Sequence, residues 1–408
     1  MEQIEKNILI ISPLWVGIEN IYYGKSAYAK GMPGFVNIIN GLQNAGYNVS
    51  IVFLLNHKQK VNNKLKFFMH ASVIKNVKLI QFKYKYFRLF EIILNYIRIS
   101  KEIFKILIKN NNFLFIYGHS HFAEPANLIS KFFKIPYGCR IYGTFLYFYF
   151  KQKGIIRTII ANFNEVLAYI TKKSFILMTN DGTCGDKVIY KINKIFKNKY
   201  DFYFYVNGID TIYIDINKIN NIIKTYENEN YILYVGRIAK WKRQDKAIEV
   251  INNVNDKNLK LLFVGQEEEE YKNELLKMID KYGLQDRIIF LGALEIFEIL
   301  YLAKNALGCL SLYDYSNFSN VFLELLKNEN IIITQYDEMV SKYIINNYNG
   351  FIVNNYEQCA GIIDRLANIE YRNNIMNNLK LHNIEFKTWE NRIDKEIQII
   401  EKYIKKMP

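Results

Sequence analysis

Several things are scarce in this chain, and each shortage excludes something. It has four cysteines in 408 residues, Cys139, Cys184, Cys309 and Cys359, none in a C-x-x-C pair. That excludes a disulfide framework and a zinc ribbon, and it fits a reducing compartment. Five prolines and twenty glycines are too few for a low-complexity or collagen-like chain. No apolar run approaches the ~20 residues that span a bilayer; the most apolar stretch is "IYGTFLYFYF" at 141–150. Glu2 and Glu5 precede "NILIIS", the wrong charge for a secretory leader. The expected location is therefore cytoplasmic, with any membrane contact peripheral and on the inner face. No G-x-G-x-x-G occurs, so the dinucleotide-binding fingerprint is missing. "ENIYYGKS" at 19–26 ends like a phosphate-binding loop, but Glu19 stands where its first glycine belongs. A carboxylate there would repel the phosphate such a loop cradles.

Acid is scarce too. There are 39 Asp and Glu against 54 Lys and Arg, a net charge of +15. Excess positive charge draws phosphate, whether of a nucleotide, a nucleic acid or an anionic lipid. The excess concentrates at 58–110, with thirteen bases against Glu91 and Glu102, and aromatics interleaved in "FKYKYFRLF" (82–90). Such a segment suits an anionic membrane surface. It also suits stacked bases of nucleic acid, or simply water.

What is present is a regular alternation. Strand candidates run at 7–12, 48–55, 77–82, 113–118, 137–143 and 174–179, with helical spacing at 34–45 and 90–109. A second series runs at 231–236, 259–265, 287–292, 306–312, 331–334 and 350–353. Strand and helix in turn predict parallel sheets covered by helices on both faces. Two series predict two Rossmann-like α/β domains. The expected boundaries are 1–205 for the first domain, 206–230 for an Asn-rich linker, 231–383 for the second and 384–408 for a closing amphipathic helix. In open α/β sheets ligands bind beyond the carboxyl ends of the strands, so the residues just after each strand are the candidates.

After "YILYV", Gly236 lets a ligand approach the backbone, and Arg237, Lys240, Lys242 and Arg243 follow within seven residues. Two fixed cations at a strand end suit a diphosphate; a solvated basic loop is the plain alternative. In "SNFSNVFLELLKN" (316–328), read as a helix, Asn317, Asn320 and Glu324 lie three and four apart on one face. A carboxylate in so apolar a helix needs partners. Two ligand hydroxyls would serve, as would a neighbouring base or water. "YGHSHFAEP" places His119 and His121 just past a strand, with Glu124 behind them. Residues i and i+2 on a strand share a face, but no third metal ligand follows by spacing. A hydrogen-bonding or a purely structural histidine is the better reading, and no metal is expected. The acidic run 267–270 reads as a helix start, where acids suit the dipole.

Taken in order, these segments resemble family 4 retaining glycosyltransferases of the GT-B fold, over nearly the whole chain. "YILYVGRIAKWKRQDKAIEVI", "LLFVGQEEEEYKNELLKMIDKYGLQDRIIFLGAL", "LSLYDYSNFSNVFLELLKNENIIIT" and "NGFIV" are similar to the family's second domain. "GMPGFVNIINGLQNAGYNVSIV", "VNGID" and "FKTWENRIDKEIQIIEKYI" are similar to its first domain, its interdomain turn and its last helix. The resemblance implies two domains facing a central cleft that closes on its ligands. It implies a nucleotide diphosphate sugar donor (UDP- or GDP-sugar), a glycan or lipid-linked acceptor of cell-surface polysaccharide synthesis, retained anomeric configuration, and no cofactor. By position it makes Arg237 and Lys242 the diphosphate pair and Glu324 the ligand of the ribose hydroxyls. Asn320 and Val321 would approach the phosphate or sugar. Leu291, Gly292 and Ala293 would border the base, and Gly34 the donor phosphates. His119 or His121 would face the transferred sugar.

Three positions depart from the pattern. Ser316 stands where the first glutamate of E-x7-E belongs, leaving Asn317 or Asp314 to substitute. Arg243 replaces a glycine, and Tyr142 replaces a histidine. Other readings on the same features are a nucleotide-sugar epimerase, an inactive sugar-nucleotide binder with Ser316 as the lesion, and a nucleic-acid-binding protein. The domain pattern and Glu324 count against the last, and no nucleic-acid partner is expected.

Overall fold

The computed structural model describes residues 6–15, 18, 32–55, 67–69, 72–74, 76–81, 89–110, 112–197, 200–382 and 384–406. The loop-like stretch 19–26 and much of the basic segment, including 82–88, lie outside the described residues. The chain forms two compact units, 1–208 together with 388–408, and 209–387.

The first unit is built on seven parallel strands in the order β5-β2-β1-β6-β7-β8-β9. These are β1 (Asn7–Pro13), β2 (Asn48–Leu55), β5 (Asn76–Gln81), β6 (Phe113–His119), β7 (Tyr137–Ile141), β8 (Phe175–Thr179) and β9 (Asp201–Tyr205). The short β3 (Phe67–Met69) and β4 (Ser72–Ile74) pair antiparallel beside it. The central strands are apolar throughout because both faces are covered. In β1, Ile8 and Ile10 enter one core while Leu9 and Ile11 enter the other, as the two-residue period of a strand requires.

The Ile8 face is covered by α1 (Pro33–Asn44) and by α15 (Trp389–Ile404), the closing helix. Gly41 makes that packing close, since a Cβ there would drive into the Ile393 side chain. The Leu9 face is covered by α2 (Leu89–Lys109), α3 (Glu124–Phe132), α4 (Leu146–Lys153), α6 (Phe163–Ile170) and α7 (Gly185–Phe196), with α5 (Ile155–Ala161) outside them. The apolar stretch 141–150 thus ends one strand and opens α4.

The second unit carries six parallel strands in the order β12-β11-β10-β13-β14-β15. They are β10 (Tyr231–Val235), β11 (Lys260–Val264), β12 (Ile288–Phe290), β13 (Gly308–Ser311), β14 (Ile332–Gln335) and β15 (Phe351–Val353). Its helices are α8 (Asn221–Lys224), α9 (Gln244–Asn253), α10 (Glu269–Tyr282), α11 (Ile296–Asn305), α12 (Asn320–Lys327), α13 (Gln358–Leu366) and α14 (Ile369–Leu381). The acidic run does open a helix: Glu269 and Glu270 fill the first turn of α10. In each sheet the chain starts in the middle, moves to one edge and returns to the other side. The switch points are β1/β6 and β10/β13, where open α/β sheets leave a crevice for ligands. No described helix is long and apolar enough to cross a membrane.

Candidate functional site

In the second unit the switch point brings two distant segments together. The loop after β10 carries Arg237 and Lys242, and the loop after β13 leads into α12. Tyrosines lock the two loops. Tyr313 Oη donates to Val235 O at 2.5 Å, Leu312 N donates to Tyr234 Oη at 3.2 Å, and Tyr234 Oη donates to Lys242 O. Asp314 N donates to Trp241 O at 3.1 Å. Gly236 sits where this lock leaves no room: its φ is 156°, and a Cβ would lie 2.8 Å from Tyr313 Oη.

The Lys242 side chain enters this layer and is only 9% exposed. Its Nζ lies 3.4 Å from the Tyr313 ring centroid and 4.2 Å from that of Trp241. Aromatic faces attract a cation, but they do not neutralise it. Among the described residues no carboxylate pairs with Lys242 or with the exposed Arg237. Burial, with Arg237 nearby, pushes the Lys242 amine down to about 7. Glu324 on α12 is the mirror case. It is half-buried, its carboxylate has no hydrogen-bond partner among the described residues, and burial pushes it up to about 7. The loop after β10 therefore holds two cations, and α12 one carboxylate, for which the described residues supply no counterparts.

Arg243 and Ser316 have local explanations. Arg243 adopts a left-handed conformation (φ 55°), which suits glycine and costs a side-chain-bearing residue roughly 1–2 kcal/mol. Its guanidinium is held by Asp245 (Nη2 to Oδ2, 2.8 Å) and by Asp314 (Nη1 to Oδ1, 2.9 Å). Asp314 is thereby engaged, with Lys246 at 3.7 Å as well. Ser316 is buried and donates to Asp337 Oδ2 at 3.0 Å. A glutamate at 316 would set a second carboxylate against Asp337, so the serine and Asp337 belong together.

Asn317 requires a correction. It precedes α12 instead of lining its face with Glu324, and it is buried. Its Oδ1 accepts from Ser311 Oγ and from Tyr313 N, both at 2.9 Å, and its Nδ2 donates to Tyr313 O at 3.2 Å. The side chain closes a turn, because Ser319 and not an earlier residue caps the helix, accepting from Phe322 N at 3.2 Å. Asn320 and Val321 open α12 and are partly exposed. Beside β12, Leu291 N donates to Phe263 O, and Gly292 (φ 69°) offers its carbonyl to Gly265 N. Ala293 next to them is exposed.

In the first unit, β6 ends at His119, which is fully buried. Its Nδ1 lies 2.7 Å from Tyr142 Oη, and its Nε2 has no partner among the described residues. Burial and the Arg140 charge hold its pKa well below the usual range, so the ring is neutral. His121 lies in a 3-10 turn after Ser120, partly buried against Phe122 at 4.0 Å, and burial pushes it to about 4. The two histidines share no strand face, because the strand stops at His119. Glu124 is engaged by Lys173, Asn127 and Thr171. No group of three metal-ligating side chains forms among the described residues. Gly34 lies in the first turn of α1, where a Cβ would approach Tyr142 Cε1 to 3.1 Å and Arg140 Nη2 to 3.7 Å.

Around them lies a charge cluster that local sequence reading misses. Glu396 of α15 is shared by Arg140 (3.5 Å) and Arg392 (2.9 Å), and Tyr117 Oη donates to it at 2.5 Å. All three charges are at most 2% exposed, and the Arg392 Nε and Nη2 groups lack acceptors among the described residues. Only the Arg392/Glu396 spacing within one helix was visible in the sequence.

Residues 215–382 match the family model of "Glycosyl transferases group 1". That supports a glycosyltransferase. Among solved structures, the sucrose-phosphate synthase tll1590 from Thermosynechococcus elongatus aligns with a TM-score of 0.74 at 15% identity. That alignment covers 98% of this chain and 100% of that one. HepE (Alr3699) of Anabaena in complex with UDP-glucose aligns at 0.66 and 14% identity, covering 97% and 99%. A glycosyltransferase from Rickettsia africae ESF-5 aligns at 0.65 and 17% identity, covering 99% and 100%. No curated protein sequence matches the chain. The two parallel α/β units match the GT-B fold of these solved structures.

Proposed function

We propose that this protein is a retaining glycosyltransferase of the family 4 type. It would move a sugar from a UDP- or GDP-sugar to a glycan or lipid-linked acceptor in cell-surface polysaccharide synthesis. The observation that carries this reading is the pairing state at the β10/β13 switch point. Arg237, Lys242 and Glu324 have no protein counter-charges among the described residues, and a nucleoside diphosphate has the matching chemistry. Its phosphates answer the two cations, and its ribose hydroxyls donate to the carboxylate. The UDP-glucose held by HepE supports a donor of this class.

As the glycosidic bond to the phosphate breaks, negative charge grows on the diphosphate. Cations already fixed beside it stabilise that charge without reorganising. Lys242 is well suited because its ammonium is held by two rings and shielded from water. In the retaining reading the acceptor attacks from the same face, and the leaving phosphate takes its proton. His119, held neutral and with Nε2 unpartnered among the described residues, is the group of the first unit assigned to a sugar hydroxyl. His121 lacks that orientation by Tyr142. In the second unit the assigned residues are Arg237, Lys242 and Glu324, with Gly236, Asn320, Val321 and the 291–293 strand end; in the first they are His119 and Gly34, both beside Tyr142.

The test is a thermal-shift screen of the full chain against UDP, GDP, ADP and their common sugars, with duplex DNA as control. A ligand that binds only the native state raises the melting temperature. One nucleoside diphosphate is expected to stabilise the wild type but not Arg237→Ala/Lys242→Ala. NMR of the product anomer then tests retention. Stabilisation by DNA alone would overturn the reading. Turnover of a nucleotide sugar without an acceptor would shift it to an epimerase.

A further inference from the structure

Helix α2 is apolar on two sides. One side is buried: Ile99, Ile103 and Leu107 enter the core of the first unit. On the other, Phe90 is 69% exposed, Ile93 48%, Ile97 60% and Ile108 62%. Positions 90, 93, 97, 104 and 108 fall on one stripe at helical spacing. Phe104 carries the stripe onto α3, with ring centroids 5.5 Å from Phe132 and 5.4 Å from Phe133. Phe132 and Leu128 are themselves 71% and 53% exposed. Soluble surfaces scatter single apolar residues, whereas a continuous patch of this kind marks a contact.

Charge says what the contact is with. Arg98, Lys101 and Lys109 flank the stripe, exposed and without carboxylate partners among the described residues. Glu102 is occupied by Lys78 (3.2 Å) and Lys105 (2.8 Å). At the carboxyl end of α2 the stripe meets an open groove of about 710 Å³. Its floor is apolar, with Leu9, Val52, Val77 and Phe113, and Lys78, Lys105 and Lys109 line it too. An aliphatic stripe bordered by cations, ending in an apolar groove lined by lysines, matches molecules with an anionic head and a hydrocarbon tail. A nucleic acid would leave the isoleucines against water, and an acidic protein would leave the groove unfilled.

We propose that the first unit docks on an anionic lipid bilayer through the outer face of α2 and α3. Phe90, Ile97 and Phe132 sit at the headgroup boundary, Lys101 and Lys109 lie against lipid phosphates, and the groove receives an acyl chain. Helix α2 belongs to the wider basic segment 58–110. Docking there does not depend on which reaction the protein carries out.

The test is co-sedimentation of the full chain with vesicles of phosphatidylcholine, alone or mixed with phosphatidylglycerol. Binding is expected to the mixed vesicles only, and to be lost near 1 M salt, where the Debye length is about 3 Å. Lys101→Ala/Lys109→Ala should bind on the order of thirtyfold more weakly, since each cation near an anionic surface contributes about a factor of five. Ile93→Ser/Ile97→Ser should also bind more weakly, with an unchanged melting temperature because both side chains are exposed. The proposal is overturned if the wild type stays in the supernatant at low salt, or if either double variant binds like the wild type. Duplex DNA retained in place of vesicles would overturn it as well. The nucleotide thermal shift reads the second unit and should be the same in all these variants, so failure here and failure of the transferase reading are separable.

Discussion

The molecule contains two buried lysines that look alike in the sequence and differ in their surroundings. Lys173, in the first unit, is fully buried and fully engaged. Its Nζ lies 3.1 Å from Glu124 Oε2, 2.5 Å from Ala168 O and 2.7 Å from Thr171 Oγ1. Lys242, in the second, has its Nζ over the faces of Tyr313 and Trp241. A buried charge with every donor used holds a fold together. One with rings on two sides, and no counter-ion among the described residues, is kept for something that arrives. The contrast separates a structural cation from a ligand-binding one by partners, since burial alone does not.

Breaking the structural member should give the largest effect. Lys173→Met leaves Glu124 buried without its cation, and removing one partner of such a pair costs about 3–5 kcal/mol. Urea unfolding should show that loss, and Lys173→Met/Glu124→Gln should recover most of it. Lys242→Ala should do the opposite. Its melting temperature stays within a few degrees of wild type, while transfer falls roughly 10²–10³-fold, as for loss of one preorganised charge-stabilising group. A variant that unfolds instead would make Lys242 a second Lys173.

The same contrast predicts a pH dependence. Because the Lys242 amine is pushed down to about 7, it is largely neutral above that pH until a diphosphate restores its proton. Nucleotide affinity should therefore weaken above pH 7, by up to about tenfold per pH unit. Calorimetry across that range reads it, and a Lys242→Arg variant should show a flat profile. Glu324 gives a smaller effect of known sign. Burial raises its carboxyl to about 7, so the native state resists its ionisation. Native stability declines as pH rises from the ordinary carboxylate range to about 7. Glu324→Gln should remove that slope, melting higher than wild type at pH 8, with its nucleotide response weakened. The smallest effect is expected for Arg243→Gly. It relieves a left-handed backbone and loses partly exposed ion pairs worth about 0.2–1 kcal/mol each. Its melting temperature should shift by a few degrees at most and its nucleotide response should persist; loss of that response would place Arg243 on the ligand.

Much of the architecture was legible before any coordinates. Each parallel strand singled out in the sequence exists, with ends moved by a residue or two, as in "GCLS" within the longer run 306–312. Unbroken apolar runs mark strands covered on both faces, and that signal is local. β9, "DFYFY", was not singled out because its partly buried edge position weakens the pattern. The site was legible in part. Arg237, Lys242 and Glu324 follow strands and could be found by position. Asn317 was assigned to the wrong surface, because helical spacing was extended past the Ser319 cap into a turn. Asp337 and the link from Arg140 to the Arg392/Glu396 pair carried no local signal.

The sequence by itself determined two doubly covered parallel sheets and cations placed just beyond a strand end. Those follow from periodicity and turn chemistry within a few residues. Which charges have partners was decided only by the tertiary structure. Glu124 meets Lys173 across 49 positions, and Arg140 meets Glu396 across 256. Lys242 is held against Tyr313, a residue from another strand loop. Counter-charges are chosen by packing between distant segments, and the electrostatics of a buried group depends on what packing puts beside it.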